Sequence, residues 1–160
     1  MAKRTIKKRR RENRTDYKLR MNLLKSGTPR IVVRKTNKYF IVQAVKSNEA
    51  QDRVIIGVTS KDLIELGWDA KKVGSLKSIP AGYLTGLLLA KKLKKGGYIM
   101  DLGMARTISG SRIFAVVKGL IDGGIDIPAD KKAFPSEERI NGEHLKDDVS
   151  KMIKGVKSRL

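Results

Sequence analysis

Three β-branched runs constrain the fold of this chain more than any other feature: Arg30-Ile-Val-Val-Arg34, Tyr39-Phe-Ile-Val-Gln-Ala-Val45 and Arg53-Val-Ile-Ile-Gly-Val-Thr59. Each is long enough for a strand and too short for most helices, and branching at Cβ suits a pleated surface. The polar turn Lys35-Thr36-Asn37-Lys38 joins the first two as a β-hairpin, and the polar linker Lys46 to Asp52 leads to the third. An antiparallel meander is the expected result. The near-continuous apolar runs predict that its strands are covered on both faces.

The following residues change the topology. Ser60-Lys-Asp-Leu-Ile-Glu-Leu66 predicts a short helix capped by Ser60 and stopped at Gly67. Pro80 suits a first helical turn, Tyr83, Leu84, Leu87, Leu88 and Lys91 follow at helical spacing, and Gly96-Gly97 ends the element. Within it, Gly82-Tyr-Leu-Thr-Gly86 has the small-residue spacing of close helix packing, which in so short an apolar run predicts approach to a sheet rather than a membrane pair. Tyr98 to Leu102 reads as a fourth strand, Gly103 to Gly110 as a loop, and Ser111 to Ile121 as a helix. Strand, crossover helix and strand in that order require a parallel pairing. The fold class is therefore α/β, a mixed sheet of an antiparallel meander plus a crossover-connected strand, packed by helices. Beyond Gly124 the chain to His144 reads as irregular with a turn or two, and Asp148 to Lys157 as a last helix. This divides the chain into an arm at 1–25, a core at 26–124 and an extension at 125–160.

A length of 160 residues is one domain's worth and buries enough surface for an unassisted core. Cysteine is absent, which excludes disulfides and thiolate metal sites. Charge is the anomaly: 36 Lys and Arg stand against 16 Asp and Glu, a net +20 whose self-repulsion calls for a polyanionic partner. Nucleic acid, an anionic membrane surface and an acidic protein compete for that place. The most apolar stretch, Ile79 to Ala90, falls short of a bilayer span, and no apolar h-region follows the basic N-terminus, so a cytosolic protein without membrane contact is expected.

The charge is unevenly placed. The first 25 residues carry Lys3, Arg4, Lys7, Lys8, Arg9, Arg10, Arg11, Arg14, Lys18, Arg20 and Lys25 against only Glu12 and Asp16. Such an arm is either solvated and disordered or a phosphate-neutralising element that orders on RNA, with Tyr17 available to lie on bases. From Asp122 to Val149 the sign reverses, which suits solvent or a basic protein neighbour better than phosphate.

Two further segments offer nucleic-acid contacts. The hairpin tip Thr36-Asn37-Lys38-Tyr39 gathers a hydroxyl, an amide, a cation and an aromatic ring, groups that a plain polar turn also uses. Gly103-Met-Ala-Arg-Thr-Ile-Ser-Gly-Ser-Arg112 lies between strand and helix but lacks the Gly-Lys-Ser/Thr ending of a nucleotide-binding loop. Backbone N–H groups at Ser111 and Arg112, reinforced by Arg106 and Arg112, fit a phosphate of RNA; an ordinary Ser-capped helix start is the alternative. No catalytic or metal-binding constellation is visible. His144 is the only histidine and lies in a charged segment where a solvated role is expected.

Taken together, Arg9-Arg10-Arg11-Glu12 with Thr15-Asp16-Tyr17, Arg30-Ile-Val-Val-Arg34 with Thr36-Asn37-Lys38-Tyr39, Ala81-Gly-Tyr-Leu-Thr-Gly-Leu-Leu-Leu-Ala90, Gly110-Ser-Arg112 and Phe134-Pro-Ser-Glu-Glu-Arg-Ile-Asn-Gly-Glu-His144 resemble the archaeal form of large-subunit ribosomal protein eighteen, whose eukaryotic counterpart is numbered five. The likeness runs to about residue 146, and Phe134 to His144 is its most specific block. It implies a non-enzymatic constituent of the large subunit's central protuberance, without cofactor, metal or small-molecule substrate, that binds 5S rRNA and helps attach it to the large-subunit rRNA among neighbouring ribosomal proteins. Arg9, Arg10, Arg11, Thr15, Asp16 and Tyr17 of the arm, Arg34, Thr36, Asn37 and Lys38 of the hairpin, and Gly110, Ser111 and Arg112 become the implied RNA contacts. Two rival classes remain at this point: an architectural DNA-binding protein of the nucleoid, which the charge permits equally, and an RNA-acting enzyme, which the missing constellation disfavours.

Overall fold

A computed structural model describes residues 6–49, 51–145 and 147–160. Strands β1 (Arg30–Lys35), β2 (Phe40–Asn48), β3 (Gln51–Thr59) and β4 (Ile99–Asp101) form one sheet in the order β3-β2-β1-β4. The first three make the expected antiparallel meander, and β4 adds in parallel to β1, with Arg30 opposite Ile99 and Val32 opposite Asp101. The segment read as a polar linker is instead mostly strand. Ser47 donates to the Asp52 carboxylate at 2.6 Å across it, and Glu49 takes a positive φ of 47° at the turn.

Helices α1 (Lys8–Arg11) and α2 (Tyr17–Lys25) lie in the arm, α3 (Ile79–Lys92) and α4 (Arg112–Asp122) in the core, and α5 (Glu137–Asn141) and α6 (Asp147–Arg159) beyond it. One face of the sheet carries the core: alternation brings Ile31, Val33, Phe40, Val42, Ala44 and Val58 inward, all fully or almost fully buried, against α3 and α4. Coverage of both faces, expected from the apolar runs, is not what forms. Gln51 to Ile55 are exposed along the edge strand β3, and Val54 and Ile55 each keep half their surface in solvent. Their β-branched side chains reflect the stiffness that favours extended backbone rather than burial. Ile55 sits at a register shift, Ala44 pairing with Ile56 and Val45 with Val54, a bulge of the kind that blunts an edge.

Helix α3 begins at Ser78, whose hydroxyl accepts from Ala81 N–H, with Pro80 in the first turn as expected. Its Gly-x-x-x-Gly pair does not chiefly serve the sheet. A Cβ at Gly82 would lie 3.0 Å from the Arg112 carbonyl of α4 and 3.3 Å from Phe40, while one at Gly86 would strike the Val116 carbonyl and one at Gly119 the Tyr83 carbonyl. Two helix backbones therefore cross at glycines on both sides. The predicted Ser60–Leu66 helix is a single 3₁₀ turn, Ser60–Leu63, and its cap is Thr59, in a capping box with Asp62. Ser60 is buried instead, its hydroxyl accepting from Phe40 N–H at 3.1 Å. The C-terminal residues join the same core through Ile125, Ile127, Ile140, Ile153 and Val156. No helix among the described residues is long and apolar enough to cross a membrane.

Candidate RNA interface

Because β1 and β4 run in parallel, their C-terminal ends emerge at the same edge, where the β4–α4 loop and the start of α4 also lie. Open sheets characteristically bind ligands at such carboxyl ends. Here the edge opens into a cleft of about 700 Å³. Six cations line it: Arg14 from the arm, Arg34 and Lys35 from β1, Arg106 from the loop, Arg112 from α4 and Arg139 from α5. Among the described residues no carboxylate lines it; Arg14 pairs with Glu12 at 3.4 Å and Arg34 with Asp101 from behind the wall, which leaves a clear cationic excess. Val33, Ile79, Leu102 and Ile113 contribute apolar surface, and Gly110 and Ser111 complete the α4 side.

Fixed geometry behind the wall comes from two carboxylates. Asp101, nearly buried, accepts from Arg34 Nη2 at 2.8 Å and from Gly103 N–H at 3.0 Å, while Arg34 Nη1 donates to the Asp101 carbonyl at 2.7 Å. Its other carboxylate oxygen faces Arg30 Nε at 3.5 Å, an ion pair too long for a hydrogen bond. Arg30, buried on the sheet's outer side, reaches Asp52 at 2.7 Å and donates to Ser47 at 2.8 Å. Asp52 also takes Arg20 of α2 at 2.9 Å. Burial pushes the Asp52 carboxyl up, but hydrogen bonds from Ser47, Arg20 and Arg30 outweigh it and hold the group below its ordinary value. A chain of alternating charges thus runs from Arg20 in the arm to Arg34 at the cleft.

The sequence candidates separate into groups. Arg14, Arg34, Arg106, Gly110, Ser111 and Arg112, drawn from three distant segments, meet in the main cleft. Arg9, Thr15, Asp16 and Arg20 line a smaller adjoining cleft of about 150 Å³ that shares Arg14 and Arg34. Within it Asp16 caps α2, accepting from Lys18 and Leu19 N–H, and Thr15 accepts from Arg9 Nε at 3.0 Å. Lys8, Arg10 and Arg11 are exposed on α1, and Lys7 sits 4.6 Å from the Tyr17 ring centre. The tip residues Thr36, Asn37, Lys38 and Tyr39 line neither cleft; Thr36 organises the turn by donating to the Tyr39 carbonyl, and Lys61 lies over the Tyr39 ring at 4.7 Å. Lys3 and Arg4 lie outside the described residues.

The α4 start differs in detail from expectation. Ser111 is its N-cap by position but makes no side-chain cap, its Oγ being buried without a partner, and its own N–H donates to the Ile108 carbonyl at 3.2 Å. The Ser111 N–H is thereby engaged within the chain and is not offered to an anion. Lys35 and Arg139 were missed in the sequence. Lys35 was assigned to the turn, and Arg139 was hidden by acidic neighbours in a segment whose average sign is opposite. His144 is exposed, and among the described residues no cluster of His, Asp and Glu is placed to hold a metal.

A family model described as ribosomal large subunit proteins 60S L5 and 50S L18 matches residues 3–97 and 94–130. The chain belongs to this ribosomal protein family. It is 45% identical over 141 residues to the large ribosomal subunit protein uL18 of Methanoculleus marisnigri, covering 86% of this chain and 78% of that one. The uL18 of Korarchaeum cryptofilum is 45% identical over 148 residues, covering 91% and 74%, and that of Methanoregula boonei 43% over 141 residues, covering 86% and 79%. Membership makes the chain a structural, non-enzymatic constituent of the large subunit of the cytoplasmic ribosome, with rRNA and other ribosomal proteins as its partners. An enzyme and a nucleoid protein both drop out as readings.

Proposed function

We propose that this member of the L5/L18 family binds 5S rRNA and helps attach it to the large-subunit rRNA at the central protuberance, using the basic cleft and the arm beside it. The observation that carries the reading is the convergence of arm, β1, loop, α4 and α5 cations on one strongly cationic cleft. Six such cations on one polyanion predict a steep salt dependence, a fall of about 10³-fold or more in affinity between 50 and 200 mM salt. Specificity comes from RNA shape and unpaired bases, because the deep major groove of an A-form helix admits no side-chain readout. Thr36, Asn37, Lys38 and Tyr39, outside the cleft, are proposed to contact a flanking part of the same RNA.

The deciding experiment challenges purified protein at moderate salt with 5S rRNA, an unrelated structured RNA of equal length and duplex DNA. Retention of 5S rRNA against excess of both competitors is expected. Equal displacement by either one would leave the family membership standing and remove the 5S assignment.

A further inference from the structure

Two large apolar side chains stand in solvent at the lip of the cationic cleft. Met104 and Ile108 keep 54% and 60% of their surface exposed, both line the cleft, and both belong to the loop from Gly103 to Gly110. Single exposed apolar residues are ordinary, but two flanking Arg106 in one short loop are not accounted for by the core, which this loop meets through Ala105. Their position in the chain is also fixed at both ends. Gly103 adopts a φ of +60° with its N–H on Asp101, and Gly110 a φ of +69° with its N–H on the Ala133 carbonyl at 2.9 Å. Ser109 donates to the Lys132 carbonyl at 2.7 Å. The loop is a pinned structure that presents Met104 and Ile108 outward.

The occupant follows from the surrounding charge. Six cations without a carboxylate in the lining repel a basic protein surface and draw a polyanion. In a nucleic acid the one apolar surface is the face of a base, and it is accessible only where the base has left the stack. Met and Ile belong to the set of apolar side chains that wedge between base steps in DNA minor-groove complexes, and an unstacked RNA base offers the same apolar face.

We propose that the Gly103–Gly110 loop is the element that reads unstacked bases, with Met104 and Ile108 against base faces and Arg106 and Arg112 on the adjoining phosphates. This rests on the cleft being an RNA site and makes it selective for a bulge, loop or unpaired nucleotide over continuous duplex. Arginines supply attraction common to any RNA; the apolar pair supplies discrimination.

The test compares two RNA hairpins of equal length, one with an unpaired internal nucleotide and one fully paired, against the full chain and Met104→Ser/Ile108→Ser, with circular dichroism verifying the fold of each. Wild type is expected to prefer the interrupted hairpin about tenfold, the order of one base contact. The double variant is expected to bind both hairpins alike with the salt slope of wild type. Arg106→Gln is expected to do the opposite, weakening both and flattening the slope. No preference in wild type, or a preference that survives the double substitution, overturns the proposal. So does a double variant that discriminates normally but fails to join a ribosomal protein neighbour during subunit assembly, which would make the pair a protein contact. Because the hairpins need not derive from 5S rRNA, loss of the 5S assignment would leave this comparison valid.

Discussion

Arg34 and Asp101 are bonded twice, side chain to side chain and side chain to main chain, across the parallel pairing of β1 with β4. An arginine at the mouth of the cationic cleft is thereby held by a carboxylate from the neighbouring strand. The same carboxylate fixes the first N–H of the Gly103–Gly110 loop.

Asp101→Ala, which removes the Oδ1 that accepts from both Arg34 and Gly103, therefore separates positioning from bulk charge. Removing a negative group beside a polyanion site raises affinity if charge alone matters. We expect the reverse, a lower RNA affinity at matched salt, because Gly103 loses its acceptor and Arg34 keeps only its bond to the main-chain carbonyl. Stability should fall by about 2–3 kcal/mol in urea unfolding, less than for a fully buried pair since Arg34 is half exposed. Affinity at or above wild type would show that Asp101 does not position the site.

Deletion of residues 1–14 should weaken RNA binding and flatten its salt slope while the core stays folded. Helix α1 has no buried residue, and the arm's ion pair to the sheet, Arg20 to Asp52, lies beyond the cut. Binding measured across a salt series, with the unfolding midpoint as control, checks both halves. An unchanged slope would remove the arm from the interface.

Arg112→Ala should lower affinity and reduce the salt slope by about 0.7 to 0.9, the contribution of one phosphate contact, with the domain still folded. The same titration reads it, and equal affinity at matched salt would clear Arg112 of contact.

Gly86→Ala and Gly119→Ala should each destabilise strongly, by about 3 kcal/mol, since the added methyl meets main-chain atoms of the opposite helix that cannot turn aside. Thermal or urea unfolding is the measurement. Gly74→Ala, with open space around its Cβ, is the control and should be close to neutral.

Alkaline pH offers a separate test. Burial, a hydrogen bond to Asp122 at 2.9 Å and the charges of Asp122 and Glu137 all raise the Tyr83 phenol above its usual 10.0. The folded state thus keeps a proton that the unfolded chain gives up, so this contribution is complete below pH 10 and is lost as pH rises above it. Tyr83→Phe should cost about 1 kcal/mol at neutral pH for the lost hydrogen bond, and its deficit should shrink above pH 10. A deficit that stays constant to pH 11.5 would contradict the assignment.

Strand and helix order was legible because elements announced themselves locally, in β-branched runs and in Pro80 at a helix start; the Gly96-Gly97 stop was misplaced, since α3 already ends at Lys92 with Leu93 extended. What the chain could not show alone were relations across it. The exposure of Val54 and Ile55 depends on β3 being an edge, and the partner of Gly86 on where α4 lies. In the same way Arg14, Arg34, Arg106 and Arg112 each stood out as cations, but their meeting in one cleft follows from the parallel β4, and Arg139 joins them through the fold alone. Nor does the sequence show that Asp101, at the end of β4, accepts from both Arg34 and Gly103.

The parallel β1–β4 pairing also sets a schedule. Arg30 finds Ile99, and Arg14 finds Arg139, only after most of the polypeptide has been made, and pairings so distant in sequence form slowly. During synthesis the cationic arm emerges first, while Arg106, Arg112 and Arg139 are still to come, so the six-cation groove is a property of the finished fold and of no shorter product.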